Sequence, residues 1–240
     1  MFPHLQIYEP RERALVGIAD LALGVVAPVA RAFRRRRPGV PRRILLLRIE
    51  RIGDLLMALD GIADVVAAAP GAEIDLAVGS WNLELARAIP GIHRVETLDA
   101  AWLARDGTGV PLGSLVARAR TWRARQYDLA INFEPDIRTT LVAAASGAAR
   151  IAGFSSGGGG PLLDVALAAD PRRHTGDNVR RLAAAVLDVP PRSAPARLEL
   201  PADARRRAHD LLSAAGPRRP VIGVHASGGR EIKQWPPERF

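Results

Sequence analysis

Residues 43–48 read "RILLLR", an unbroken apolar run held between two arginines. A strand with one wet face alternates polar and apolar residues. A strand with no polar face must bury both sides, as happens in a parallel sheet covered by helices above and below. The next segment, "GDLLMALDGIADVVAAA", places Leu55, Leu56, Leu59, Ile62, Val65 and Val66 at helical spacing. The alternation continues along the chain. "EIDLAVG", "HRVETL", "YDLAINF", "ARIAGF" and "PVIGVHA" read as strands; "NLELARAI", "GSLVARARTWRARQ", "DIRTTLVAAAS", "NVRRLAAAVL" and "DARRRAHDLLSAA" read as helices. That order predicts an α/β fold with a Rossmann-like, doubly wound, mostly parallel sheet.

Apolar residues make up 48% of the chain and aromatics 5%, so the core must be aliphatic. The absence of cysteine excludes disulfides and thiolate metal sites. His4, His93, His174, His209 and His225 show no paired metal-ligand spacing. The formal charge is +9, but residues 1–43 alone hold nine arginines against Glu9, Glu12 and Asp20. The rest of the chain is close to balanced and lacks clustered aromatics, which argues against nucleic acid as a partner.

Residues 14–30, "ALVGIADLALGVVAPVA", are apolar but broken by Gly17, Asp20, Gly24 and Pro28. A spanning helix needs about 20 apolar residues, and this stretch falls short. Arg34–Arg37 follow it. Two readings stay open: a segment (residues 14–37) lying on an anionic membrane surface, or a helix packed on the domain with a solvated arginine linker. A secretory signal would carry its basic residues before the apolar part.

Parallel α/β sheets bind ligands beyond the carboxyl ends of their strands. The residues to inspect are therefore Glu50–Asp54, Gly79–Asn82, Glu134–Asp136, Phe154–Gly160 and Ala226–Lys233. Gly53 is read as allowing a tight turn from strand to helix. Asp54 then sits at the helix N-terminus, where a carboxylate suits either capping or catalysis. G-x-G-x-x-G and G-K-[ST] are both absent, so this is neither a dinucleotide fingerprint nor a P-loop. "SSGGGG", residues 155–160, reads as a flexible loop. Glu134 and Arg138 are candidates for acceptor contact, the arginine equally for a solvated surface position. His174 and Asn178 flank a helix start, where the histidine either lines a cleft or caps the helix. Asn132 receives no role. Lys233 is the only lysine in the chain. It follows Ser227, Gly228 and Gly229, whose backbone N–H groups suit phosphate oxygens. Lys233 would add a compact positive charge, or is simply an exposed lysine.

"RILLLRIERIGDLLMALDGI" resembles the opening of the family 9 glycosyltransferases, the bacterial lipopolysaccharide heptosyltransferases. Three later stretches agree in order: "YDLAINFEPDIRTTLVAAASGAARIAGF", "HTGDNVRRLAAAV" and "VIGVHASGGREIKQWPPERF". Together they cover about residues 42–240. The resemblance implies a GT-B architecture of two Rossmann-like domains. Residues 1–41 would be an extension, 42–215 the acceptor-side domain, and 216–240 the first strand and phosphate loop of the donor domain, the chain being truncated there. It also implies that Asp54 is the general base, and that Ser227 and Lys233 contact the donor phosphates. Gly228 stands where some members carry a second hydroxyl residue. The implied reaction is inverting transfer of a heptose or related sugar from a nucleotide-sugar, ADP-heptose by preference, to an anionic lipid-linked glycan, with no metal or other cofactor. That chemistry would sit in the cytoplasm, on the inner face of the membrane. Transfer to another glycan, or a non-catalytic sugar- or nucleotide-binding fragment, are the alternatives.

Overall fold

The computed structural model describes residues 2–32, 39–104, 108–192, 194–214, 222–225 and 234–239. A compact unit runs from Met1 to Glu199, and a second unit from Leu200 to Phe240. In the first, helix α1 (Pro10–Ala32) precedes β1 (Arg43–Leu47), α2 (Ile52–Ala68), β2 (Glu73–Val78), α3 (Leu83–Arg87), β3 (Arg94–Thr97), α4 (Leu112–Thr121), β4 (Leu129–Asn132), α5 (Ile137–Ala145), β5 (Arg150–Phe154), β6 (Val165–Leu167) and α6 (Thr175–Leu187). The six strands form one parallel sheet in the order β3-β2-β1-β4-β5-β6.

β1 explains its own sequence. Ile44 and Leu46 enter the core shared with α2, α3 and α6, while Leu45 and Leu47 enter the core shared with α4 and α5. Neither face meets water, so no polar residue is tolerated between the flanking arginines. α2 and α6 approach closely at Gly61, where a Cβ would lie 2.4 Å from Val179 Cγ1. Chain order reverses between β1 and β4, which places the sheet's crevice beyond the ends of those two strands.

Four expectations need correction. The edge strand β6 was not anticipated, because three residues between Asp164 and Asp170 carry too little pattern. The helix expected through Gln126 ends as α4 at Thr121; a 3-10 turn, Trp122–Arg125, carries the chain to Gln126, whose φ is 52°. Ile222–His225, within the expected strand "PVIGVHA", have no strand pairing. A strand needs a neighbouring strand to pair its backbone groups, so an apolar run alone does not make one. In that same second unit, α7 (Ala202–Ala214) buries none of its residues.

The fourth correction concerns Ser155–Gly160, expected as a flexible loop. Ser156 through Gly159 are buried. Gly158 and Gly159 have φ of 87° and 79°, and Cβ atoms there would collide with Val16 and Thr140. Gly159 N–H donates to Asp20 Oδ1 at 2.7 Å. α1 lies over this loop, and Arg31 donates to the carbonyls of Pro161 and Leu163. One face of α1 is therefore part of the domain.

Candidate functional site

Arg48 organises the crevice. It is the first residue after β1 and is 2% exposed. Its Nη1 donates to Phe133 O at 2.8 Å and its Nε to Asp54 O at 3.1 Å. The guanidinium also pairs with Glu50 Oε2 at 3.2 Å and Asp54 Oδ1 at 3.6 Å. One buried cation thus ties the end of β1 to the end of β4 and to the first turn of α2.

Glu134, just after β4, is buried beside it. Its Oε1 accepts the N–H groups of Ile49 and Glu50. Burial pushes this carboxyl up to about 8, and the charge of Glu50 adds to the rise. Glu50 itself is raised above the ordinary carboxylate range by burial, with Asp54 and Asp136 contributing and Arg48 opposing. Asn132, given no role from sequence, holds this loop. Its Oδ1 accepts Glu134 N–H at 3.1 Å, and its Nδ2 donates to Thr139 and Thr140 at 2.9 and 3.1 Å.

Asp54 occupies the first turn of α2, where its Oδ2 accepts the N–H of Arg51 at 3.2 Å. The side chain remains 30% exposed. Each oxygen of a carboxylate has two lone pairs, so these contacts leave room for another donor. Gly53 is helical without a positive φ, and a Cβ there would meet nothing within 4 Å. The tight turn assigned to it is not present; glycine here leaves open space.

That space is a cavity of about 670 Å³. Arg51, Ile52, Gly53, Ser80, Trp81, Asp99 and Leu103 are among its walls. Trp81 Nε1 and Asn82 Nδ2 both donate to Glu50 O at 2.8 Å. Asn82 Oδ1 is buried with no hydrogen-bond partner.

On the other side of the crevice Asp136 caps α5 by accepting Arg138 N–H at 2.7 Å. The Arg138 guanidinium lies against the same carboxylate, 4.8 Å above the Trp102 ring and 3.9 Å from Glu12 of α1. The bonds and charge of Asp136 outweigh the opposing desolvation and raise the Arg138 pKa. Its charge is thus engaged internally.

His174 caps α6, its Nδ1 accepting Gly176 N–H at 3.1 Å. Gly176 lies against Met57 O of α2, one turn beyond Asp54. Asn178 is buried; its amide bonds both the N–H and the carbonyl of Asp170, at 2.9 and 2.8 Å, and accepts from Arg181. Ser227, Gly228, Gly229 and Lys233 lie outside the described residues. Among the described residues no cluster of three His, Asp or Glu is placed to hold a metal ion. The structure therefore brings together Arg48, Glu50, Asp54 and Glu134, with Arg138 nearby. Arg48 has no role assigned from sequence, and Trp81 enters there only as part of the Gly79–Asn82 loop. The signal for Arg48 was a charge closing an apolar strand; nothing in the sequence sets Trp81 apart.

A family model, glycosyltransferase family 9 (heptosyltransferase), matches residues 116–240, just over half of the chain. No curated protein matches the sequence. Among solved structures, a glycosyl transferase family 9 protein from Veillonella parvula DSM 2008 is similar with a TM-score of 0.70 at 20% identity, covering 86% of this chain and 60% of its own. E. coli ADP-heptose lps heptosyltransferase II gives 0.57 at 18% identity, over 71% of this chain and 50% of its own. E. coli heptosyltransferase WaaC with ADP gives 0.56 at 16%, over 82% and 60%. At these identities the likeness is one of fold, and the chain spans 50–60% of the length of these relatives.

Proposed function

The chain belongs to glycosyltransferase family 9, the heptosyltransferase family, and from that membership we propose that it carries the acceptor side of a transferase. The reaction moves a heptose or related sugar from a nucleotide-sugar, with ADP-heptose as the favoured donor, to an anionic lipid-linked glycan of the lipopolysaccharide-core type. The acceptor hydroxyl attacks the anomeric carbon from the face opposite the diphosphate. A new carbon–oxygen bond forms as the bond to the phosphate oxygen breaks. Asp54 takes the hydroxyl proton, and one such displacement inverts the centre. Ser227, Gly228 and Lys233 would receive the negative charge growing on the leaving diphosphate.

The observation that carries this reading is the place of Asp54: a part-exposed carboxylate at the carboxyl end of the central strand, held by Arg48 and adjoining an open cavity. The test uses a chimaera completed to the length of the relatives with a donor-binding half. Asp54→Asn keeps an oxygen for the Arg51 N–H and removes the base. Release of nucleoside diphosphate is expected to fall about 10²–10⁴-fold with folding retained. An Asn variant that turns over normally refutes the role of Asp54.

A lipid-linked acceptor places the protein at a membrane surface, and α1 supports that placement. No helix among the described residues is long and apolar enough to cross a membrane. The outward face of α1 instead exposes Leu15, Ile18, Leu21, Val25, Val26 and Val29. At 100° per residue these occupy an arc of about 140°, opposite the packed Val16 and Ala27. Arg11 and Arg13 begin the helix, and Arg34–Arg37 follow it in sequence. An apolar arc bounded by arginines suits a helix lying in the plane of an anionic bilayer. Deleting α1 would also strip the domain of contacts, so the test is substitution of the outer face. The chain should float with anionic vesicles, and Leu21→Glu/Val25→Glu should release it without changing its thermal midpoint. Unchanged flotation of that variant refutes the placement.

A further inference from the structure

Trp81 is more tightly specified than an exposed tryptophan needs to be. It is 39% exposed, yet its indole N–H is fixed on Glu50 O at 2.8 Å. Gly79 sits directly beneath it. A Cβ on Gly79 would lie 2.3 Å from Trp81 Cε2 and Cζ2. The φ of Gly79 is −67°, which any residue adopts. Glycine is therefore required at 79 by the ring above it and not by the backbone. One face of the indole is packed on main chain, its edge is pinned by a hydrogen bond, and the remainder walls the 670 Å³ cavity beside Asp54.

The other walls supply polar chemistry. Arg51 is exposed and lines the same cavity, its charge acting on Glu50 without a close ion pair among the described residues. Contrast Arg48 and Arg138, whose charges are both spent on internal carboxylates. Asp99 has one oxygen held by Ser80 N–H at 2.7 Å, leaving its carboxylate able to accept from a hydroxyl. Leu103 completes an apolar edge.

A fixed aromatic plane, an exposed guanidinium and a hydroxyl acceptor around one cavity describe a site for a specific ligand class. The C–H face of a pyranose ring is the apolar surface that stacks on an indole. A guanidinium prefers a planar or multi-oxygen anion, that is, a carboxylate or phosphate. We propose that Trp81 and Arg51 form the subsite for an anionic pyranose, Trp81 stacking on the ring and Arg51 pairing with its phosphate or carboxylate substituent. This rests on the reading of the crevice as the acceptor side, and it names the two residues that select the acceptor. Asp54 directly follows Gly53 of the same cavity wall.

The test reads binding, not transfer, on the chain as it is. The indole N–H resonance of Trp81, identified by its loss in Trp81→Phe, is followed during titration with glucose 6-phosphate, glucose and inorganic phosphate. It should move with glucose 6-phosphate and less with glucose. Arg51→Ala should weaken the phosphorylated sugar about tenfold, the loss expected for one charge-assisted bond, and leave glucose unaffected. Gly79→Ala should abolish the response by displacing the ring. Phosphate alone reproducing the shift, a resonance that no sugar moves, or an unchanged response in Arg51→Ala would each overturn the subsite. Because no donor is present, a failure of Asp54 as base leaves this measurement intact, and the absence of binding here leaves the Asp54→Asn assay to be judged separately.

Discussion

Glu134→Gln isolates the electrostatic cost of the crevice. The substitution keeps an oxygen for the N–H groups of Ile49 and Glu50 and removes the ionisable group. In the fold, burial and the Glu50 charge push Glu134 up to about 8, against an ordinary value of 4.5. Between those values the folded chain keeps a proton that the unfolded chain has released. Stability therefore falls as pH rises, by about 1.4 kcal/mol per pH unit. From about pH 5 to about pH 7 the loss is about 2–3 kcal/mol, or roughly 5–10 °C in thermal midpoint for a domain of this size. Glu134→Gln mimics the neutral acid at every pH and lacks this slope. It should gain on the wild type by that amount across the window. Urea unfolding followed by tryptophan fluorescence at several pH values measures the difference. A difference flat with pH refutes the reasoning. So does the opposite slope, which would mean that Glu134 is ionised in the fold and stabilised by Arg48.

Arg48→Met should lower stability by about 3 kcal/mol: the carbonyls of Phe133 and Asp54 lose charge-assisted bonds, while Glu50 and Asp54 are exposed enough to regain water; calorimetry checks it. Gly157→Ala should cost about as much or more, because its Cβ would lie 1.7 Å from Pro135 O in the loop that carries Glu134 and Asp136. Gly53→Ala, with open space and ordinary backbone, should instead be neutral or raise stability by about 0.4–1 kcal/mol. Thermal unfolding of the two glycine variants side by side tests whether the crevice glycines differ as the contacts require.

The sheet was legible because burial on both faces leaves its mark residue by residue. Ile44 to Leu47 alternate between two cores, as a strand covered on both faces requires. Strand order and ligand position are linked, and of the loops named from sequence Glu50–Asp54 and Glu134–Asp136 meet with Gly79–Asn82 beside them, whereas Phe154–Gly160 packs under α1 and Ala226–Lys233 lie outside the described residues. What could not be read was how the loops close on one another. Arg48 reaches Phe133 O across 85 positions in sequence, and Gly159 finds Asp20 across 139. A glycine run looks the same in sequence whether it is free or buried under a helix, and the packing of α1 decided that case. Gly79 and Gly53 show the same ambiguity from opposite sides: one is forced by a ring above it, the other faces empty space.

The charges of the crevice constrain which group can serve an incoming ligand. Arg138 is committed to Asp136, held on both carboxylate oxygens by its guanidinium. Arg48 alone stands between Glu50 and Asp54. Were Glu134 also ionised, a single buried guanidinium would face three carboxylates, an arrangement whose desolvation cost exceeds its Coulombic gain. Burial favours the neutral form of Glu134, which relieves that cost. Glu50 is raised as well and its backbone carbonyl is occupied by Trp81 and Asn82. Asp54, part-exposed and paired with Arg48, directly follows Gly53 of the cavity wall. The helix terminus, where any carboxylate would be at home, does not by itself decide the proposed role of Asp54 as base; the Asp54→Asn assay does.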